Sequence, residues 1–124
     1  MTPTQRSLAH LHKAGYIATV CERYIAAIRH REDLFGIGDI IAILGTECLL
    51  VQTTTGSNVA AHVKLYRDDP VKRASLSVWL SCGSRRWFEI HGWGKRGPRG
   101  KGKLWSLRRL CAVNGRDGVE FVEQ

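Results

Sequence analysis

The stretch 38-GDIIAILGTECLLVQTT-54 holds two apolar, β-prone runs separated by Gly45-Thr46. A two-residue Gly-X loop between such runs makes a β-hairpin with a type II′ turn. With Leu44 and Glu47 flanking that turn, opposing residues have numbers that sum to 91. Asp39 is then expected to face Gln52 across the strands, with Cβ atoms about 5 Å apart. Thr54 lies on the same face as Gln52, two residues further along the strand.

Upstream, Thr2-Pro3-Thr4-Gln5 reads as a helix start, with Thr2 as cap, Pro3 in the first turn and Gln5 closing a capping box. Leu8 and Leu11 give this helix an apolar stripe, and Gly15 is placed to stop it. YIATVCERY is rich in β-branched and aromatic residues and predicts a strand over 16–23. AAIRHREDLFGIG then reads as a polar connection. Downstream, Ser57 is placed to cap a helix through SNVAAHVKLY, and Asp68-Asp69-Pro70 separates it from a second helix over 71–80. RRWFEIHGW alternates as a strand, GKRGPRGKGK is a basic loop over 94–103, and KLWSLRRLCAV returns as a final strand. The expectation is one domain over 1–113, with a loose C-terminal tail over 114–124.

The composition narrows the class. A 44% hydrophobic content supplies a packed core for 124 residues, and no apolar run reaches the roughly 18 residues that span a bilayer. The N-terminus lacks the apolar stretch of a signal peptide, so the cytoplasm is the expected compartment. Cysteines at 21, 48, 82 and 111 form no C-x-x-C pair and read as structural thiols. Between Arg85 and Arg109 stand nine Lys or Arg and one acid, so this segment alone carries the whole net charge of +8. Arg85, Arg86, Lys95, Arg96, Arg99, Lys101 and Lys103, with Trp93 among them, suit the phosphates and bases of nucleic acid better than a membrane.

The order helix, strand, strand, strand, helix, strand resembles the restriction-endonuclease-like core of the PD-(D/E)XK nuclease superfamily. Within it the chain is most similar to the Holliday-junction resolvases of archaea and small resolvase-like proteins of phages. The matching features are the first helix leading into AGYIATVCER, then GIGDIIAI, then LLVQTT opening a helix. The resemblance implies an α/β fold with a mixed central sheet and a DNA endonuclease dependent on Mg²⁺ or Mn²⁺. It also brings in the homodimer in which resolvases generally act. Mg²⁺ needs only one or two protein carboxylates, and a nearby cation adds charge stabilisation. By resemblance Asp39 takes the aspartate position, Gln52 that of the acid and Thr54 that of the lysine. Gln52 brings an amide oxygen without charge, and Thr54 no positive charge at all. Lys64 on the following helix is a displaced candidate for the lysine, against a solvated helix lysine.

Glu22, near the end of the first strand, is expected beside Asp39 as a third oxygen ligand or a base for the attacking water, or else in an ion pair with a neighbouring base. Asp33 is a second acid close upstream, suited to a loop cap as much as to a ligand. His91 can meet a phosphate or serve a structural role at a strand end. Three functions compete: a metal-dependent DNA endonuclease, a catalytically inactive DNA-binding module or inhibitor on the same fold, and a basic RNA-binding protein. The last predicts no acidic cluster between the first three strands. The charge segregation predicts salt-dependent DNA binding that is largely independent of sequence. In a salt titration, neutralising Lys95, Arg96, Arg99, Lys101 and Lys103 together removes most of it. An equal loss from five bases outside 85–109 refutes the localisation.

Overall fold

The computed structural model describes residues 1–95 and 104–124; Arg96, Arg99, Lys101 and Lys103 lie outside them. The hairpin forms as its turn chemistry requires. Strands β4 (Ile40–Leu44) and β5 (Glu47–Thr55) pair from Leu44 opposite Glu47 to Ile40 opposite Val51. Gly45 takes φ 60° and Thr46 is not among the positive-φ residues, which is the pattern of a II′ turn.

Helix α1 (Pro3–Lys13) begins with the expected capping box: Gln5 N–H donates to the Thr2 hydroxyl at 3.2 Å, and Thr2 N–H to the Gln5 amide oxygen at 2.8 Å. The strand predicted over 16–23 is shorter and divided. β1 (Ile17–Val20) pairs with β4, and the chain then leaves the main sheet for a separate ribbon of β2 (Arg23–Ile25) and β3 (His30–Glu32). This ribbon replaces much of the expected connection. It is almost wholly exposed, so it leaves no apolar alternation to read.

After β5 the chain forms α2 (Val59–Asp68) and α3 (Pro70–Ser81), which carry it back to β6 (Arg86–Lys95). β6 pairs parallel to β5, an arrangement that needs such a crossover. Asp69 caps α3 by accepting from Val71 N–H at 2.9 Å and Lys72 N–H at 3.2 Å. Ser57 does not cap α2, because its hydroxyl is shared with that of Thr55 at 3.2 Å. β7 (Trp105–Gly115) and β8 (Gly118–Glu123) complete the sheet. The C-terminal segment is therefore not a loose tail. Val119 and Phe121 alternate toward the core, and β8 is bonded along β7.

The sheet is mixed, in the order β1-β4-β5-β6-β7-β8, with β5–β6 its one parallel pair among the described residues. Strand alternation sends Leu50, Phe88, Ile90, Leu110 and Ala112 to one face, under Val59, Tyr66, Leu76 and Trp79 of α2 and α3. Ile40, Ala42, Leu49 and Val51 point to the other, against Leu11 of α1. All four cysteines are free thiols, and no described helix is long and apolar enough to cross a membrane.

Gly38, just before β4, sits hard against the core. A Cβ there would lie 2.4 Å from Leu50 Cγ, and Leu50 has no exposed surface into which to retreat. Gly38→Ala is expected to destabilise the protein by about 1–3 kcal/mol in urea denaturation. Leu50→Ala should cost less in the Gly38→Ala background than in wild type. Additive losses would show that Leu50 is not what the new methyl meets.

Candidate functional site

The β4–β5 ladder ends irregularly, and that irregularity builds the site. Asp39 N–H donates to the carbonyl of Val51, the residue already paired with Ile40, at 2.9 Å. Asp39 has therefore slipped out of the hairpin register. Its carboxylate accepts from Thr53, from the backbone N–H at 3.3 Å and the hydroxyl at 3.0 Å. The expected Asp39–Gln52 pairing is not formed. The physical reason is local: where the ladder stops, Thr53 still needs an acceptor for its N–H, and the aspartate supplies it.

Gln52 is committed elsewhere. Its amide oxygen is the second, longer acceptor of the Tyr66 hydroxyl at 3.2 Å, whose one proton is shared with the Ile37 carbonyl, and its amide nitrogen donates to the Thr53 carbonyl at 3.2 Å. Thr54 is buried in β5 and supplies no charge. Lys64 is exposed and bound to Asp68 one helical turn away at 2.6 Å, so it does not take the displaced-lysine position.

Glu22 and Asp33 do converge on Asp39. The three can each offer a carboxylate oxygen such that all lie within 4.8 Å of one another. Glu22 arrives because β1 runs antiparallel to β4, with Val20 opposite Ile40 and Cys21 N–H donating to the Asp39 carbonyl at 2.9 Å. Glu22 also meets Arg31 at 3.3 Å, so the ion pair and the proximity to Asp39 coexist. Asp33 arrives because the loop between β3 and β4 is pinched shut by a bridge between Leu34 and Gly38. Two helical side chains fasten that loop, the Tyr66 hydroxyl to the Ile37 carbonyl and the Lys72 ammonium to the Gly36 carbonyl.

The electrostatics record the crowding. Burial raises the Asp39 carboxyl to about 7; the Thr53 hydroxyl pulls it back, and Asp33 pushes it further up. Asp33 is also raised, by burial first and then by Glu22, with Lys72 opposing. Burial together with Asp33 and Asp39 holds the Tyr66 hydroxyl well above its ordinary range. His62 is lowered by burial, against the pull of Asp33. Lys72, His62 and Tyr66 thus face the acids from α2 and α3. None was marked by spacing in the sequence, since only the helical crossover brings them back over the loop. Three crowded carboxylates form an all-oxygen donor set that fits a hard divalent cation.

The basic side chains divide into spent and available. Arg85 is paired with Glu47 at 3.0 Å and Arg108 with Glu123 at 2.7 Å. Arg109 makes a two-pronged bond to Glu89 at 2.9 and 2.8 Å. Arg86 packs over the Trp79 ring at 4.9 Å. Trp93 is half-buried, and its indole N–H donates to the Ser7 hydroxyl at 2.8 Å, which ties the ring to α1. Lys95 remains exposed at the end of β6.

His91 is fully buried between Ser7 at 3.0 Å and Glu89 at 3.0 Å. Burial works against the Glu89 carboxylate, yet bonds from His91 and Arg109 bring it down to about 2. Ser7, His91 and Glu89 stand in the order of a hydrolase triad. Ser7 is also fully buried and already accepts from Trp93, so its oxygen is closed to substrate. The cluster fastens α1 to β6 and β7.

One topological fact joins the two regions. β1 ends, β4 begins, and β5 and β6 end at the same side of the sheet, where Thr53 pairs with His91, Thr55 with Trp93 and Lys95 with Trp105. The carboxylates and the strand ends flanking residues 96–103 therefore share one end of the molecule. Comparison with known protein families, curated proteins and solved structures finds no match for this chain.

In metal-free buffer the raised carboxyl of Asp39 carries a stability signature. An unfolded aspartate ionises near 3.8 and the folded one near 7. Between those values the folded state keeps a proton that the unfolded chain has released, so stability falls as pH rises through the window. Asp39→Asn should flatten the fall and make the variant more stable than wild type at pH ~8, by roughly 2–4 kcal/mol. Parallel urea-denaturation profiles for the two proteins between acidic and neutral pH would rule this out.

Proposed function

We propose that this protein is a divalent-metal-dependent nucleic-acid hydrolase, a DNA endonuclease of the resolvase-like PD-(D/E)XK kind, with its centre at Glu22, Asp33 and Asp39. The observation that carries this is the convergence of three carboxylates from three separate segments at the end of the sheet where the basic segment leaves it. Acids at that density repel one another and a phosphodiester alike, and a cation relieves both. The three carboxylates would hold Mg²⁺ or Mn²⁺, which lowers the pKa of bound water and offsets charge on the phosphate undergoing attack.

The chain's own residues do the rest. Asp39 is oriented by Thr53, whose hydroxyl also meets that of Thr4 at 2.9 Å. Glu22, half-buried and in contact with the exposed Arg31, is the group suited to take a proton from the attacking water. Lys72 keeps positive charge beside Asp33 and takes the part expected of Thr54 or Lys64. Lys95, at the end of β6, holds the polyanion at the same end of the sheet, and the bases of 96–103 add their charge to that segment.

A second reading has its own observation. Gln52 is locked to Tyr66 rather than turned to the acids, which suits a binding module that has lost its chemistry. An RNA-binding protein without nuclease ancestry gives no reason for the acidic cluster.

Cleavage of linear, single-stranded and four-way-junction DNA separates these readings. Mn²⁺ tolerates poorer ligand sets, so activity is expected with Mn²⁺ before Mg²⁺. Asp39→Asn should lower cleavage by more than the ~10–100-fold typical of losing an outer-shell partner, while DNA binding persists. Lys72→Ala should slow cleavage without reducing binding to the same degree. A wild-type protein that binds every substrate and cuts none in either metal leaves the binding module.

A further inference from the structure

Trp105 stands at the start of β7, opposite Lys95, with 41% of its surface exposed. The Arg6 guanidinium, from the first turns of α1, lies 3.7 Å from the centre of its ring, and the Lys95 ammonium lies 5.5 Å from it. Arg85, Arg108 and Arg109 are each tied to a carboxylate, but among the described residues no acid pairs with Arg6 or Lys95. Residues 96–103 contain no acid that could do so. Helix α1 itself has no Asp or Glu, and Arg6, His10 and Lys13 follow one another at helical spacing beside a hollow of about 270 Å³.

We propose that Arg6, held face-on against Trp105 and flanked by Lys95, is a phosphate clamp for a nucleic-acid backbone. Stacking uses the flat face of a guanidinium and leaves its in-plane N–H donors free, in the fork that matches two phosphate oxygens. The indole also removes most of the rotamer freedom a surface arginine would otherwise lose on binding. The position suits a strand already engaged at the acids. Trp105 lies on β7, three strands from β4 at the same end of the sheet and four residues beyond Arg109, which is level with Thr53, so it stands about 20 Å away at ordinary strand spacing and rise. The clamp is therefore a subsite apart from the carboxylates, and a change there leaves the metal ligands untouched. Arg6 falls outside the basic segment 85–109, so charge counting along the chain does not find it.

This inference rests on the nucleic-acid part of the proposed function and not on catalysis, so its test is made in chelator, where nothing is cut. Binding of fluorescently labelled duplex and single-stranded DNA by the full chain is followed by anisotropy across a range of salt. Arg6→Ala is expected to weaken binding roughly tenfold and to lower the salt slope by about one. Arg6→Lys should keep most of the slope while losing affinity, because the charge remains and the planar fork does not. Trp105→Leu, which frees Arg6 without removing charge, should keep the slope and weaken affinity less than Arg6→Ala. Arg67→Ala, on the opposite face of the sheet, is the control and should change neither quantity, and equal thermal melting of all variants excludes a folding defect. Unchanged affinity and slope in Arg6→Ala would overturn the clamp, as would an equal loss in Arg67→Ala. A wild type that binds but never cuts with metal restored ends the hydrolase reading and leaves the clamp standing.

Discussion

Thr53 offers both its backbone N–H and its hydroxyl to the carboxylate of Asp39, and four elements meet at that contact. The bonds end the β4–β5 ladder, the Asp39 carbonyl receives Cys21 from the end of β1, and the Thr53 hydroxyl reaches Thr4 in α1. The aspartate therefore does structural work that a neutral acceptor would do at lower cost. Burial has raised its carboxyl to about 7, and two further acids stand within 4.8 Å. Crowding three carboxylates at one point costs stability when no cation is present to offset their repulsion.

The loop that delivers Asp33 shows how the two faces of the sheet cooperate. Leu34 and Gly38 pinch it shut, with Phe35 held at φ 55°, a conformation costly for a bulky residue. Tyr66 and Lys72 hold it from above by its carbonyls. The same lysine opposes the rise of the Asp33 carboxyl, so one side chain sets both the loop's position and its charge balance. Beneath the sheet, buried Ser7, His91 and Glu89, closed by the half-exposed Arg109, anchor α1, which carries Thr4 to the site at one end and Arg6 to Trp105.

Charge that is dense along the chain is not the same as charge available at the surface. Of the nine bases between Arg85 and Arg109, Arg85, Arg108 and Arg109 are met by Glu47, Glu123 and Glu89. Two of those acids come from outside the segment, which is why a sum over neighbours in sequence overstates its reach. Trp93 ties its indole N–H to Ser7, and Trp105 stands beside two cations that no acid meets among the described residues.

Local chemistry was sufficient for the hairpin, the capping box of α1, the second helix and the flanking strands, because turn type, caps and alternation act between residues close in sequence. Glu22 could be placed beside Asp39 for the same reason, through one antiparallel pairing. The β2–β3 ribbon escaped notice because it buries almost nothing, and β8 because its GVEFVE alternation follows what reads as a chain end. Gln52 could not be assigned from spacing. A one-residue slip where the ladder ends turns Asp39 to Thr53, and Tyr66 returns over the sheet to claim Gln52. Lys64 is held by Asp68 one helical turn away, a pairing that the i, i+4 spacing does offer. Arg6 and Trp105 are far apart in the chain, and Lys72 reaches Asp33 only after the crossover from β5 to β6. The composition of the site is thus a local property of short segments. Its geometry belongs to contacts that exist only once the sheet has closed, since hydrogen-bond partners are chosen by distance in space.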